Sequence, residues 1–459
     1  MRFRYGSSTL KFQVMRHPVE PFRIKTVERI NLPDREERER ILREAKYNLF
    51  KIPSEKVFID FLTDSGTGAL SQEQWGAIMV ADEAYAGPRS WFKLKDAIYE
   101  FSGFDDSIPV HQGRAAEKII ASIYLYEGAK VLSNTLFDTT RANFESVGAI
   151  IYDIPIKESY TLEENHPFKG NIDLEKLEDI LRRENVALVV MVMTNNTGGG
   201  QPVDLDNLIS AYEICKRYNV PLIIDACRIS ENSYLVKKRN PKYSNWEVKD
   251  IIKESFKYCD GAFMSAKKDG LSNMGGFLFL KDPEKNLRAK ELLILWEGFI
   301  HYGGLSGRDI ESFAVGLLES RDERYLEYRT GQVEYLTRKL KEIGWDVMLP
   351  PGGHAAYVEV SRALKHIPKE NFPAHSLAVE MYREGAVRVV EVGSLMFKDK
   401  AKFEFVRFAI PRRTYTQSHL DYVIDVAARI YEKRESLRGY RIIYEPPYLR
   451  HFLAELEMV

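Results

Sequence analysis

The chain has 459 residues, 44% hydrophobic and 29% charged, a balance that buries a large core under a solvated surface and excludes a disordered or fibrous protein. Lys and Arg number 66 against 67 Asp and Glu, a formal net charge of -1, so no global field draws the chain to nucleic acid or to an acidic membrane. Three cysteines, Cys215, Cys227 and Cys259, are too few for a disulfide framework and lack C-x-x-C spacing. No apolar run reaches the ~20 residues of a membrane span, and the first residues hold no apolar signal core. The expectation is a cytoplasmic protein with no nucleic-acid and no membrane partner.

Residues 1–22 lack periodicity, carry Pro18 and Pro21, and read as an arm that lies on something else. Asp34-Arg-Glu-Glu opens a helix, with acids in its first turn and Ile41 and Leu42 behind. From about 57 to 310 strands and helices alternate. Val57 to Leu62, Ile108 to His111, Ala187 to Thr194, Val220 to Ile224, Gly261 to Ser265 and Gly275 to Leu280 read as strands. Ala115 to Tyr126 and Leu205 to Tyr218 read as helices. Continuous apolar strands between helices predict an α/β fold with a mostly parallel sheet covered on both faces. A long helix is expected over Asp309 to Ile343, where Val333, Leu336, Leu340 and Ile343 share a face. Strands at Ala355 to Val360, Val387 to Val392 and Phe403 to Ile410, with helices near Leu377 to Glu384 and Ser418 to Lys433, then form a smaller α+β unit. The expected division is an arm (1–22), a large unit (57–310) and a smaller one (23–56 with 311–459).

Four segments carry candidate chemistry. In Ser265-Ala-Lys-Lys-Asp-Gly270, two lysines follow an apolar strand, where desolvation lowers an amine's pKa and suits it to imine chemistry. In Leu222-Ile-Ile-Asp-Ala-Cys-Arg228, a buried strand delivers Asp225 to the edge where open α/β sheets bind ligands. A carboxylate there needs a cationic partner. A protonated pyridine nitrogen is one, and Arg228 is close by. In His111-Gln-Gly-Arg114, a glycine at a helix start exposes N–H groups suited to a phosphate. In Asn195-Asn-Thr-Gly-Gly-Gly-Gln201, glycines allow close approach and Asn196 can donate to a ligand oxygen. Each alone also reads as a solvated turn, a cap or a loop. Together, in this order and at strand ends, they converge on pyridoxal 5'-phosphate chemistry of the aspartate aminotransferase-like type. No G-x-G-x-x-G follows the first strand, which argues against a nicotinamide site.

The motifs Leu62-Thr-Asp-Ser-Gly-Thr67, Asp82-Glu-Ala-Tyr-Ala-Gly87, His111-Gln-Gly-Arg114, Gly199-Gly-Gln-Pro-Val203, Ser265-Ala-Lys-Lys-Asp269, Tyr302-Gly-Gly-Leu-Ser-Gly-Arg-Asp309 and Ile410-Pro-Arg-Arg-Thr-Tyr-Thr416 extend to Tyr444-Glu-Pro-Pro-Tyr-Leu-Arg-His-Phe452. In these the chain resembles the β-eliminating lyases, the family of tryptophanases and tyrosine phenol-lyases, over nearly its whole length after Pro18. The resemblance implies a large cofactor-binding domain of fold type I and α,β-elimination. It implies that Lys268 holds pyridoxal 5'-phosphate and removes the substrate Cα proton. Gln112, Gly113, Arg114 and Ser265 would take the phosphate with Lys267 close by. Phe137 would stack on the ring, Asp225 would meet its nitrogen, and Asn196 and Arg228 its oxygen. Arg407 would bind the substrate α-carboxylate, with Thr63, Ser65 and Val392 on the substrate side. Tyr85 would stand near the leaving group and a neighbouring subunit. Gly66, Glu83 and Asn273 would hold K⁺, and the assembly would be a homotetramer.

Three positions separate the branches. Asp138, Val392 and His451 stand where the tyrosine-cleaving enzymes carry Thr, Arg and Phe. Singly these read as a helix cap, a core residue and a surface histidine. Jointly they imply L-tryptophan as substrate, with Asp138 and His451 in the chemistry. The alternatives are a tyrosine phenol-lyase or related lyase and, further off, an aminotransferase of the same fold.

Overall fold

A computed structural model describes residues 17–459. Of the expected arm, residues 1–16 lie outside the described residues. The part that follows lies on the helix Glu323–Ile343, where Phe22 meets Tyr328 edge-on with ring centroids 5.5 Å apart and His17 meets Tyr335 at 5.2 Å.

Strands β1 (Ile59–Asp60), β2 (Ile108–Val110), β3 (Lys130–Ser133), β4 (Ile150–Asp153), β5 (Val186–Val192), β6 (Leu222–Asp225), β7 (Gly261–Ser265) and β8 (Gly276–Leu280) occupy the first part of the chain. All but β1 form one sheet of order β2-β8-β7-β6-β5-β3-β4. Only β8 runs against its neighbours; the other pairs are parallel. The carboxyl ends of β2, β3, β5, β6 and β7 therefore open on one edge, beside the start of β8. Period-two alternation sends Leu188, Val190 and Val192 to one face of β5 and Val189, Met191 and Met193 to the other, into separate apolar clusters. Burial on both faces explains the near-continuous apolar strands. The helix Gly113–Tyr124 covers one face through Ala116, Ile119 and Ile120, all fully buried.

The later strands are β9 (Asp346–Val347), β10 (Ala355–Glu359), β11 (Val387–Arg388), β12 (Val390–Val392), β13 (Phe405–Ala409), β14 (Tyr440–Tyr444) and β15 (Glu455–Met458). A second, antiparallel sheet has the order β12-β13-β10-β9, and β14 pairs with β15. This sheet has its own apolar cluster, built on Val358, Val406 and Phe408.

Three expected elements differ. The long helix is two, Gly307–Glu319 and Glu323–Ile343. Asp322 caps the second, its carboxylate accepting from the Tyr325 N–H at 2.8 Å, and this side-chain bond competes with helix continuation. The strand expected at 387–392 divides. Its first half pairs in parallel with β1, where the Arg388 guanidinium grips the Asp60 carboxylate and the Ile52 carbonyl, and its second half joins β13. The strand expected at 57–62 shortens to β1, since Phe58 and Ile59 both direct their N–H groups to the Ala386 carbonyl. Among the described residues no helix is long and apolar enough to cross a membrane.

Candidate active site

The edge where β2, β6 and β7 end gathers Arg114, Lys267 and Lys268. The helix Gly113–Tyr124 starts directly after β2 with Gln112 as its cap residue, the Gln112 amide lying 3.1 Å from His111 Nε2. A Cβ on Gly113 would stand 2.9 Å from the Ser265 Cβ at the end of β7. Only glycine lets this helix start approach the strand so closely. Lys267 and Lys268 follow, both half-buried. Burial lowers the Lys267 pKa, and the charges of Lys268 and Arg114 lower it further. No carboxylate forms an ion pair with any of the three among the described residues. Converging cations outside any ion pair, the Ser265 hydroxyl and helix N–H groups are an environment that suits a phosphate dianion.

Asp225, 5% exposed, ends β6 and takes the Cys227 N–H on one oxygen at 3.0 Å. The first turn after β3 delivers Phe137, half-buried, as the cap of the helix Asp138–Glu145. Asn134 locks that turn by exchanging two hydrogen bonds with the Val192 backbone at the end of β5. Asn196 follows β5. Its Oδ1 lies 2.8 Å from His354 Nε2, 2.8 Å from the Tyr357 hydroxyl and 3.0 Å from Arg407 Nη1. With its oxygen so engaged, the amide nitrogen is the group left for a ligand acceptor. Arg407, on β13, also donates from Nη2 to the Leu62 carbonyl at 3.0 Å, while its buried Nε has no partner. Burial and the charges of Arg228 and Arg407 hold His354 well below the usual imidazole range, so it stays neutral. Thr63 and Ser65 lie in the same Leu62 turn, with the Ser65 N–H on the Thr63 hydroxyl.

Arg228 has an engagement that sequence reasoning missed. Its Nε and Nη2 grip both oxygens of Asp64 at 3.0 and 2.7 Å, leaving one nitrogen for any ring oxygen. Asp64 also accepts from Arg412 Nη1 at 2.9 Å, and Arg412 reaches Glu231 at 2.8 Å and Asp269 at 2.9 Å. Arg329 adds a bond to Glu231 at 2.9 Å. Three guanidinium groups thus meet three carboxylates in the interior. Burial pushes the Asp64 carboxyl up, but Arg228 and Arg412 together hold it well below the usual range. Asp269 accepts from the N–H groups of Ser230 and Glu231 and caps the helix Ile229–Arg239. The residue after Lys268 therefore anchors the lysine turn to the charge network. The Asp-Ser-Gly and Pro-Arg-Arg motifs held this signal, but not the pairing.

Asp138 and His451 come together from distant parts of the chain, His451 Nε2 lying 3.1 Å from Asp138 Oδ2. Both are buried, so His451 is not a surface histidine. The contact is ion-pair distance without an aligned hydrogen bond. The other Asp138 oxygen accepts from the Thr139 N–H at 2.8 Å. His451 sits on a short helix, Arg450–Leu453, tied down by Asn48, which donates to the carbonyls of His451 at 3.2 Å and Ala454 at 2.8 Å. Arg450 donates to the carbonyls of Ser394 and Leu395. Val392 is 6% exposed in an apolar cluster with Leu62, Val390 and Phe405, on the strand beside Arg407.

The remaining expected residues do not form one cluster. Tyr85 is 69% exposed, stacks on Phe299 and meets Tyr302 edge-on. Gly66 and Asn273 do meet: Asn273 Nδ2 donates to the Gly66 carbonyl at 3.0 Å, and Gly66, at φ +74, is pressed against Lys267. Glu83 instead accepts from the Gly307 N–H at 2.8 Å and pairs with Arg308.

With Asp225 at the end of one parallel strand and Lys268 just after the next, the comparisons make the chain a pyridoxal phosphate-dependent lyase of fold type I. The chain belongs to the β-eliminating lyases, whose family pattern matches residues 60–426. It is 49% identical to a tryptophanase of Salinibacter ruber, over 95% of each chain. It is 46% identical to a probable tryptophanase of Aeropyrum pernix over 96% of this chain and 97% of that one, and 42% identical to a tyrosine phenol-lyase of Pasteurella multocida over 96% and 99%. The fold is also that of a serine palmitoyltransferase of Sphingomonas wittichii, with a TM-score of 0.61, 13% identity and coverage of 87% of this chain and 97% of that one.

Proposed function

We propose that the protein cleaves L-tryptophan to indole, pyruvate and ammonia. The observation that supports this best is the buried Asp138–His451 pair, and position 392 holds an apolar Val in its own apolar cluster. The indole N–H is a donor only and needs an acceptor, which the Asp138 carboxylate supplies. A phenol oxygen would find neither a hydroxyl at 138 nor a guanidinium at 392, and an unpaired buried polar group costs about 1–3 kcal/mol.

In this reading Lys268 holds the cofactor through its amine and then takes the Cα proton. Asp225 faces the ring nitrogen, Phe137 stacks on the ring and Asn196 donates to its oxygen with one nitrogen of Arg228. Gln112, Gly113, Arg114, Ser265 and Lys267 hold the phosphate. Pyridoxal 5'-phosphate, when bound, supplies the electron sink that stabilises the carbanion. Arg407 receives the substrate α-carboxylate as a planar fork, with Thr63 and Ser65 at the turn beside it. His451 holds the Asp138 carboxylate and helps proton transfer to the ring carbon, because an aromatic carbon leaves only when protonated. Tyr85, exposed in the single chain, would act from a neighbouring subunit of a homotetramer. K⁺ would sit at Gly66 and Asn273, with Glu83 completing the site. The same reading carries a cytoplasmic location and the division into a large unit (57–310) and a smaller one (23–56 with 311–459).

The second reading is a tyrosine phenol-lyase, which relatives of that name at 42–43% identity support. Assays of indole from tryptophan and phenol from tyrosine separate the two. Tryptophan should lead in kcat/KM by about ten- to a hundredfold, the range those energies imply. Phenol released faster than indole would overturn the proposal. His451→Phe should slow tryptophan more than S-alkyl cysteine, whose leaving group needs no ring protonation. Equal losses would detach His451 from the leaving group.

A further inference from the structure

One buried acid at the site has no role in the chemistry above. Glu117 lies one turn into the helix Gly113–Tyr124, whose start forms the phosphate cradle, and is 4% exposed. Its Oε1 accepts from the Thr139 hydroxyl at 3.1 Å and its Oε2 from the Asn143 amide at 3.0 Å. Asn143 also donates to the Thr139 carbonyl at 3.0 Å. These bonds run from the helix under the phosphate to the helix Asp138–Glu145, which presents Phe137 and Asp138. Thr139 is itself the residue whose N–H binds the Asp138 carboxylate. The charged groups that act on Glu117 electrostatically are Asp225 from the end of β6 and Lys268 from the turn after β7. Cys227, close to both, has its thiol pushed up by burial and by Asp225 and stays neutral.

We propose that Glu117 is a positioning residue: it fastens the helix Asp138–Glu145 to the helix that starts the phosphate cradle, and its own charge state, as a second acid beside Asp225, sets the field at Lys268. Two carboxylates that share a desolvated pocket do not both ionise cheaply. Glu117 has only neutral donors, Thr139 and Asn143, on its two oxygens. Burial and the Asp225 charge push its pKa up to about 7, against the pull of Lys268. Its ionisation would put a second negative charge beside Asp225 and change the field that Lys268 experiences. The inference rests on the assignment of Asp225 and Lys268 to the cofactor.

The test uses holoenzyme without substrate. The visible absorbance of the lysine-bound cofactor is titrated with base from acid pH in wild type, Glu117→Gln and Glu117→Asp. Wild type should show a spectral transition near neutral pH, and Glu117→Gln should lose it while keeping the cofactor bound. Glu117→Asp keeps the charge but shortens the reach, so it should keep a transition at a shifted pH. A second measurement reads the helix. In Glu117→Ala the ratio of kcat/KM for tryptophan to that for S-alkyl cysteine should fall by about tenfold or more, since a displacement near 1 Å costs up to about a hundredfold. A wild-type transition that survives in Glu117→Gln, or no transition in wild type, would overturn the charge assignment. An unchanged substrate ratio in Glu117→Ala would overturn the fastening role. Should wild type fail to cleave tryptophan, the substrate reading falls while the spectral titration still judges Glu117.

Discussion

Replacing Asp64 with Asn removes one of three carboxylates that balance Arg228, Arg329 and Arg412 in the interior. Asp64 is 1% exposed and accepts from Arg228 at 3.0 and 2.7 Å and from Arg412 at 2.9 Å, with Arg329 at 3.9 Å. Asn keeps the shape and one acceptor but leaves three guanidinium groups facing two carboxylates. Breaking a buried pair from one side costs about 3–5 kcal/mol, because the remaining charge is stranded without water. The double variant Asp64→Asn/Arg228→Met restores neutrality, so it should cost less than the sum of the single variants by about 1–3 kcal/mol. Equilibrium urea unfolding of the four proteins measures both quantities. The pH dependence has a definite sign. The folded Asp64 carboxyl lies well below its ordinary value of 3.8, so its contribution is complete above that value and is lost as pH falls through it towards the folded pKa. The Asn variant should therefore show a shallower loss of stability in acid. A loss in Asp64→Asn below about 1 kcal/mol, the level of an exposed pair, would refute the reasoning. So would strict additivity in the double variant.

Arg407→Ala should weaken substrate binding by about 2–5 kcal/mol while the cofactor absorbance stays, because a desolvated carboxylate loses its fork partner; unchanged affinity would move the role to another arginine. Potassium should raise activity above that in sodium at matched ionic strength and pH, and Glu83→Gln should blunt the effect; equal rates in both salts would leave the Gly66–Asn273 turn without a cation role. His375 is buried with Nε2 on the Tyr47 carbonyl at 2.9 Å, and burial pushes its pKa down from 6.5 to about 4. It is neutral in the fold, so its contribution of about 3 kcal/mol is complete above 6.5 and disappears as pH falls towards the folded value. His375→Gln should flatten that part of the acid limb in thermal unfolding, and an unchanged limb would rule His375 out.

Much of the fold was legible because its signals are local. The unbroken apolar runs of β5 and β6 state that both faces are covered, and each run ends on the residue that meets the edge of the sheet. β3 and β4 are not among the expected strands: each is four residues long, and β4, at the sheet edge, also alternates exposure. The helix break at Asp322 escaped because the apolar face continues on either side of it. The three branch positions jointly point to His451, but its burial depends on Asn48 and Arg450, which bind its short helix inward across distant parts of the chain.

The sequence by itself determined the class of this protein. Asp225 and Lys268 at successive strand ends, Gly113 at a helix start and Arg407 on a late strand are local choices of residue at positions that the strand pattern defines. The tertiary structure alone decided which charges meet. Arg228 stands 164 residues from Asp64, and Arg329 98 from Glu231, so no periodicity links them. Glu117 reads as an ordinary polar position in its helix, and only the approach of Thr139, Asn143 and Asp225 makes it a buried acid. Pairing across such separations depends on sheet register and helix packing. Burial then sets each partner's charge, because a low-dielectric interior tolerates only ions that find their complement.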